Sequence, residues 1–84
     1  MYEIVTKETV APNIIYMKFK APKIALTAKP GQFAIIRADE KGERIPMGLA
    51  GWDEKEGTVD IVFYVLGTST AKLSTMSEGE CVSN

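Results

Sequence analysis

From Tyr2 to Val10 polar and apolar positions alternate, with Tyr2, Ile4 and Thr6 on one side and Glu3, Val5 and Lys7 on the other. Period-two alternation rich in β-branched residues predicts a strand, because successive side chains of an extended chain point to opposite faces. Ala11-Pro12-Asn13 is a turn signal. The run IIYMKFK then alternates again, Ile15, Met17 and Phe19 against Tyr16, Lys18 and Lys20, which predicts an antiparallel neighbour with one wet face. Lys23 to Lys29 is short and mixed, and reads equally as a helical turn or a loop. Lys29-Pro30-Gly31-Gln32 is a strong turn: proline presets φ at its second position and glycine accepts the positive φ that a type II turn needs at its third. FAIIRA reads as a third strand and ends in the polar loop Asp39-Glu40-Lys41-Gly42. After the loop Asp53 to Gly57, TVDIVFYVL is the longest strand candidate, with Val59, Ile61, Phe63 and Val65 on one face. Beyond Gly67 the period changes. Leu73 and Met76 are three apart, which suits a short helix with Ser69 or Thr70 as N-cap and Gly79 as its end. Five or six strands at short spacing with one brief helix predict a small all-β antiparallel barrel.

Composition narrows the classes of function. Eighty-four residues make one domain at most. Ten basic against eleven acidic residues leave a net charge of −1, and the lysines are dispersed, so nucleic acid is not expected as a partner. No apolar run approaches the ~20 residues of a membrane span, and MYEIVTKETV lacks the apolar core of a signal peptide. The lone cysteine, Cys81, cannot form an internal disulfide, which favours a cytoplasmic setting. It has no acid–base partner in the sequence and reads as inert. The chain has no histidine, so the commonest general base and metal ligand is missing, and neither a catalytic side chain nor a metal site is expected. The end, GECVSN, reads as the start of another strand. The expectation is a fragment whose barrel lacks part of its last strand and leaves an open edge for self-association.

Two places combine glycine with strand ends. In Arg44 to Gly51, Pro46, Gly48 and Gly51 interrupt an apolar run. Glycine within a strand marks a close approach by a ligand or another backbone, or a barrel corner where nothing binds, and both readings stand open. The proline points to an edge position. In VLGTSTAKL a strand feeds a glycine–hydroxyl turn and then a helix, a geometry that favours anions and phosphate in particular. It is not a Walker loop, whose spacing is absent. Trp52 reads as a packing residue, whereas Tyr64, opposite Phe63, is open to a ligand role. The acidic loops Asp39 to Glu43 and Asp53 to Glu56 read as solvated tips.

Taken together, PGQF, GERIPMGLAGWD and the Gly67–Thr70 turn resemble the N-terminal flavin-binding barrel of the ferredoxin–NADP reductase superfamily. Within it they are most similar to the small electron-transfer subunits of dihydroorotate dehydrogenase and of ferredoxin-dependent NADP reductase (sulfide dehydrogenase). The resemblance covers essentially the whole chain and implies a six-stranded antiparallel Greek-key barrel, residues 1–84, preceding a nucleotide-binding domain in a longer subunit. It implies FAD as cofactor. The family motif Arg-x-Pro-Leu-Thr falls on Arg44, Ile45, Pro46, Met47 and Gly48, which places Pro46, Met47 and Gly48 beside the flavin ring. It places Val62, Phe63 and Tyr64 on the ribityl–adenosine side, and Gly67, Ser69 and Thr70 around the pyrophosphate. Arg44 stands four residues before Gly48, as in the nearest branch. The broader superfamily has its arginine three before, where this chain has Ile45. Gly48 replaces the usual serine or threonine, and Gly51 the usual aspartate. By the same resemblance the intact parent moves electrons between NAD(P)H and a catalytic large subunit through FAD and a [2Fe–2S] centre. This chain has neither the cysteine cluster nor the nicotinamide domain. The competing reading is a non-catalytic barrel for interaction or assembly without flavin; a single-strand nucleic-acid binder is a third.

Overall fold

The computed structural model describes residues 1–83. Its strands are β1 (Tyr2–Ala11), β2 (Ile14–Lys20), β3 (Phe33–Ile36), β4 (Ile45–Gly48), β5 (Gly51–Asp53), β6 (Thr58–Tyr64) and β7 (Cys81–Val82), with two short helices, α1 (Pro22–Thr27) and α2 (Thr68–Ser74). The first hairpin forms as the alternation requires. Asn13 takes the left-handed conformation, φ 61°, at its turn, and Ile15, Met17 and Phe19 all point inward. Simple alternation is interrupted by two register shifts, the second between Thr9 and Ala11. The register jumps from Ile4↔Phe19 to Thr6↔Lys18, so Val5 is an extra residue in a bulge and turns outward.

All neighbouring strands are antiparallel. One sheet runs β5-β6-β2-β1-β7, and β3 pairs with β4 in a second. The link between the two lies at Leu49 and Ala50, whose consecutive amides donate in opposite directions: Leu49 to the Gln32 carbonyl (2.9 Å) and Ala50 to that of Asp60 (2.8 Å). Counted across that break, β4 and β5 form one bent run and the barrel has six, in the non-sequential order of a Greek key. The open edge expected from the sequence would lie at the seam between β1 and β3. β7 pairs with β1 through Tyr2↔Val82 and Glu3↔Cys81, and Ser83 exchanges two backbone bonds of 2.8 Å with Arg37 just past β3. Among the described residues the seam is thus bridged at this one point, by Ser83 immediately after β7.

The core is the inward face of these strands: Ile4, Met17, Phe19, Ile36, Val59, Ile61 and Val82 are fully buried, joined by Leu73 of α2. Trp52 packs against it, as read from the sequence. The ambiguous segment after Phe19 is a helix, α1, opened by Pro22 in its first turn, where a missing N–H is harmless, with Ala25 buried. Two helices thus stand among the described residues, one more than expected. The Lys29–Gln32 turn forms as expected, with Gly31 at φ 83° and a Gln32 N–H to Lys29 carbonyl bond of 3.1 Å. No helix among the described residues is long and apolar enough to cross a membrane.

Candidate functional site

At one end of the barrel a cavity of about 730 Å³ separates the start of β4 from the turn into α2. Arg44, Ile45 and Pro46 form one wall; Leu66, Gly67, Thr68, Ser69, Thr70 and Lys72 form the other. Some twenty residues of chain separate these walls, and the fold brings them together because β4 bends away from β6 at Leu49–Ala50, opening the barrel corner between them. The corner reading and the close-approach reading of the glycine-rich stretch are therefore compatible: the strand does switch sheets, and it also lines a cavity.

The turn is built differently from expectation. Gly67, not Ser69 or Thr70, is the N-cap of α2. Thr70 lies in the first turn, and its hydroxyl accepts the amides of Leu66 (2.9 Å) and Gly67 (3.1 Å), tying the chain entry to the helix. The helix ends at Ser74, five residues before Gly79, which instead takes φ 91° in the approach to β7 and donates to the Ile4 carbonyl.

Of the residues singled out from the sequence, Arg44, Pro46, Gly67, Ser69 and Thr70 share this cavity. Met47 and Phe63 do not present side chains to it. Both belong to the core, 7% and 5% exposed, because alternation along β4 and β6 turns them inward; only their backbone is available to a ligand. Val62 and Tyr64 lie on the outward face of β6 and are exposed, in register with Tyr16 and Ile14 of β2. Gly48 opens outward, and a Cβ there would meet only the Phe33 ring, at 3.7 Å, so no protein contact demands glycine. At Gly51 the reverse holds. A Cβ would press to 3.2 Å on an Asp60 carboxylate oxygen, and the other oxygen of Asp60 is buried without a hydrogen-bond partner among the described residues. Burial and the neighbouring Asp60 carboxylate raise the Tyr16 phenol above its ordinary value.

Four further residues of the site were invisible in the sequence. Leu66, 84% exposed, overhangs the cavity. The acidic loop read as a solvated tip is bound to α2: the Ser69 hydroxyl donates to Glu43 (3.0 Å), and Lys72 pairs with Asp39. That ion pair, with the Lys41 amide as a second donor, lowers the Asp39 carboxyl below its ordinary value. Arg44 makes no such pair among the described residues. Its guanidinium is exposed at the cavity wall.

This arrangement has close counterparts. The chain is 37% identical to, and superposes over its full length (TM-score 0.96) on, 30% of the structure of an NADH-dependent reduced ferredoxin–NADP oxidoreductase. It is 39% identical over 80 residues to a Thermotoga maritima homologue of the electron transfer subunit of dihydroorotate dehydrogenase B, covering 95% of this chain. In sequence and in fold the chain resembles the N-terminal barrel of the ferredoxin–NADP reductase superfamily. It is also 49% identical over all 84 residues to an uncharacterised protein of the adh 3′ region of Clostridium beijerinckii. No family model matches it. The chain spans about 28% of the length of the curated relatives it matches.

Proposed function

We propose that this barrel binds FAD and serves an electron-transfer oxidoreductase subunit. The observation that carries the reading is the single cavity formed by the Arg44–Pro46 segment and the Gly67–Thr70 turn, the two segments that the family resemblance assigns to the flavin. The residues fit the group in kind. Gly48 leaves space for a planar ring, with Phe33 and Pro46 exposed beside it. Tyr64 and Val62 offer an apolar outward surface, and the Ser69 hydroxyl, the Lys72 ammonium and the Arg44 guanidinium suit a diphosphate. Bound FAD supplies the electron-transfer chemistry, and the chain's own residues bind and orient it. Pro46 and Gly48 fix the ring's position through the backbone. With glycine at 48 a backbone N–H is the only donor at that position, one hydrogen bond fewer than a serine offers, a difference of about 1 kcal/mol in binding or in the balance of redox states.

In this reading residues 1–84 are one domain of a longer subunit in a reducing cytoplasm. Electrons pass between NAD(P)H and a catalytic large subunit, with a [2Fe–2S] centre held elsewhere in the parent. The names of the Thermotoga maritima relative and of the solved oxidoreductase support it.

The test is a FAD titration of the intact protein, freed of flavin, followed by visible absorbance and flavin fluorescence. Saturable binding is expected, weakened by roughly fivefold in Ser69→Ala, the loss of one hydrogen bond. Absence of saturation at any soluble FAD concentration would remove the reading and leave a scaffold barrel.

A further inference from the structure

Two of the cavity's donors are already occupied, and by carboxylates of one loop. Ser69 and Lys72 lie three apart on α2, hence on one face of the helix. The Ser69 hydroxyl donates to Glu43 at 3.0 Å and the Lys72 ammonium to Asp39. Glu43 and Asp39 both come from the loop between β3 and β4, so the loop is strapped across the cavity side of the helix. A hydroxyl has one proton to donate. Ser69 therefore serves either Glu43 or an incoming anion, never both through that proton. Glu43 also sets a negative charge at the cavity wall beside Arg44, where it repels an anionic ligand and partly cancels the arginine's attraction.

Resting on the flavin reading above, we infer that Glu43 is a specificity-determining residue of this site: an internal anion that holds Ser69 and is displaced by the ligand's phosphates. Glu43 thus sets the affinity for phosphate-bearing ligands and leaves affinity for the ring itself untouched. Asp39 plays the lesser part: it partly neutralises Lys72, whose ammonium keeps two further protons to donate.

The experiment compares FAD with riboflavin, which carries the same ring and no phosphate, on the intact flavin-free protein. Glu43→Gln keeps an acceptor for Ser69 and removes only the charge. It is expected to tighten FAD binding roughly threefold to fivefold, the scale of one exposed charge interaction, with the gain shrinking as salt is raised and riboflavin affinity unchanged. Asp39→Asn is expected to act in the same direction more weakly. Circular dichroism checks that each variant is folded; Glu43→Ala serves as a second variant should Glu43→Gln fail that check. Saturable FAD binding that is unchanged or weaker in the folded variant overturns the inference alone. So does an equal change in FAD and riboflavin. No saturable FAD binding by wild type or variants overturns the flavin reading and this inference with it.

Discussion

Gly57 shows how one residue carries two constraints. Its φ is +70°, and a Cβ would lie 3.2–3.3 Å from three atoms of Pro22. Gly31 has a similar φ, +83°, but open space around it. Gly57→Ala is expected to destabilise by at least the ~1–2 kcal/mol of the left-handed conformation, a fall in Tm of about 5–15 °C for a domain of this size. Gly31→Ala should cost less in a parallel thermal melt; an equal loss at both sites would mean that the Pro22 contact is readily relieved. Tyr16 makes a second prediction at this scale. Its pKa is raised above 10.0, first by burial and then by Asp60. A raised value favours the protonated phenol in the folded state. The associated stability is therefore complete below pH ~10 and is lost as pH climbs through the folded value. Absorbance at 295 nm should titrate above the ordinary range, and Asp60→Asn should bring the midpoint down part of the way, burial holding the rest. Neither feature is written in the local sequence: TVDIVFY says strand, and nothing in it says that Asp60 lies against Gly51.

Among the elements, α2 is the one whose sequence and structure diverge most usefully. Its period was readable from Leu73, which is fully buried, and Met76, which packs on the core. Its cap was not, because Gly67 has no side chain to advertise the role and Thr70 acts backwards on the amides of Leu66 and Gly67. Thr70→Val, nearly the same shape without the hydroxyl, is expected to destabilise by about 1–2 kcal/mol by leaving those two amides without it. Faster hydrogen exchange at Leu66 and Gly67 would report this directly, and unchanged exchange would contradict it. The link from α2 to the acidic loop depends on pH with a definite sign. The Asp39 carboxyl is lowered below 3.8, chiefly by Lys72. Its contribution is present above that ordinary value and disappears as pH falls through the lower folded value. Chemical shifts of Lys72 followed from pH 6 downward should move only below pH ~4, and Asp39→Asn should abolish the transition.

For the whole molecule, closure rests on a small seam. β7 contributes two residues, yet Val82 is fully buried, and Ser83 joins Arg37 by two backbone bonds. Val82→Ala removes two buried methyl groups and is expected to cost about 1–3 kcal/mol. Amide exchange at Arg37 should rise with it if the seam opens locally, and an unchanged Arg37 would show that the two bonds hold without Val82. The cavity is likewise a property of the whole. It exists because a strand that pairs with β3 at one end and β6 at the other must bend, and the bend parts it from the start of α2.

The sequence by itself determined the antiparallel barrel, the placement of most strands, the inward faces of β2 and β6, and the type II turn at Gly31. These follow from side-chain period and from the φ preferences of proline and glycine, which act within a few residues. It also marked both halves of the cavity by their glycine and hydroxyl content, and the family resemblance tied the two together. Tertiary structure alone decided that β7 bridges the seam, that Met47 and Phe63 face the core, that Gly51 makes room for Asp60, and that Glu43 and Asp39 hold α2. Each of these depends on contacts between residues brought together by register and strand crossing, from Gly51 and Asp60 nine apart to Tyr2 and Val82 eighty apart. Hydrophobic period carries no record of which polar side chain meets which across such spans.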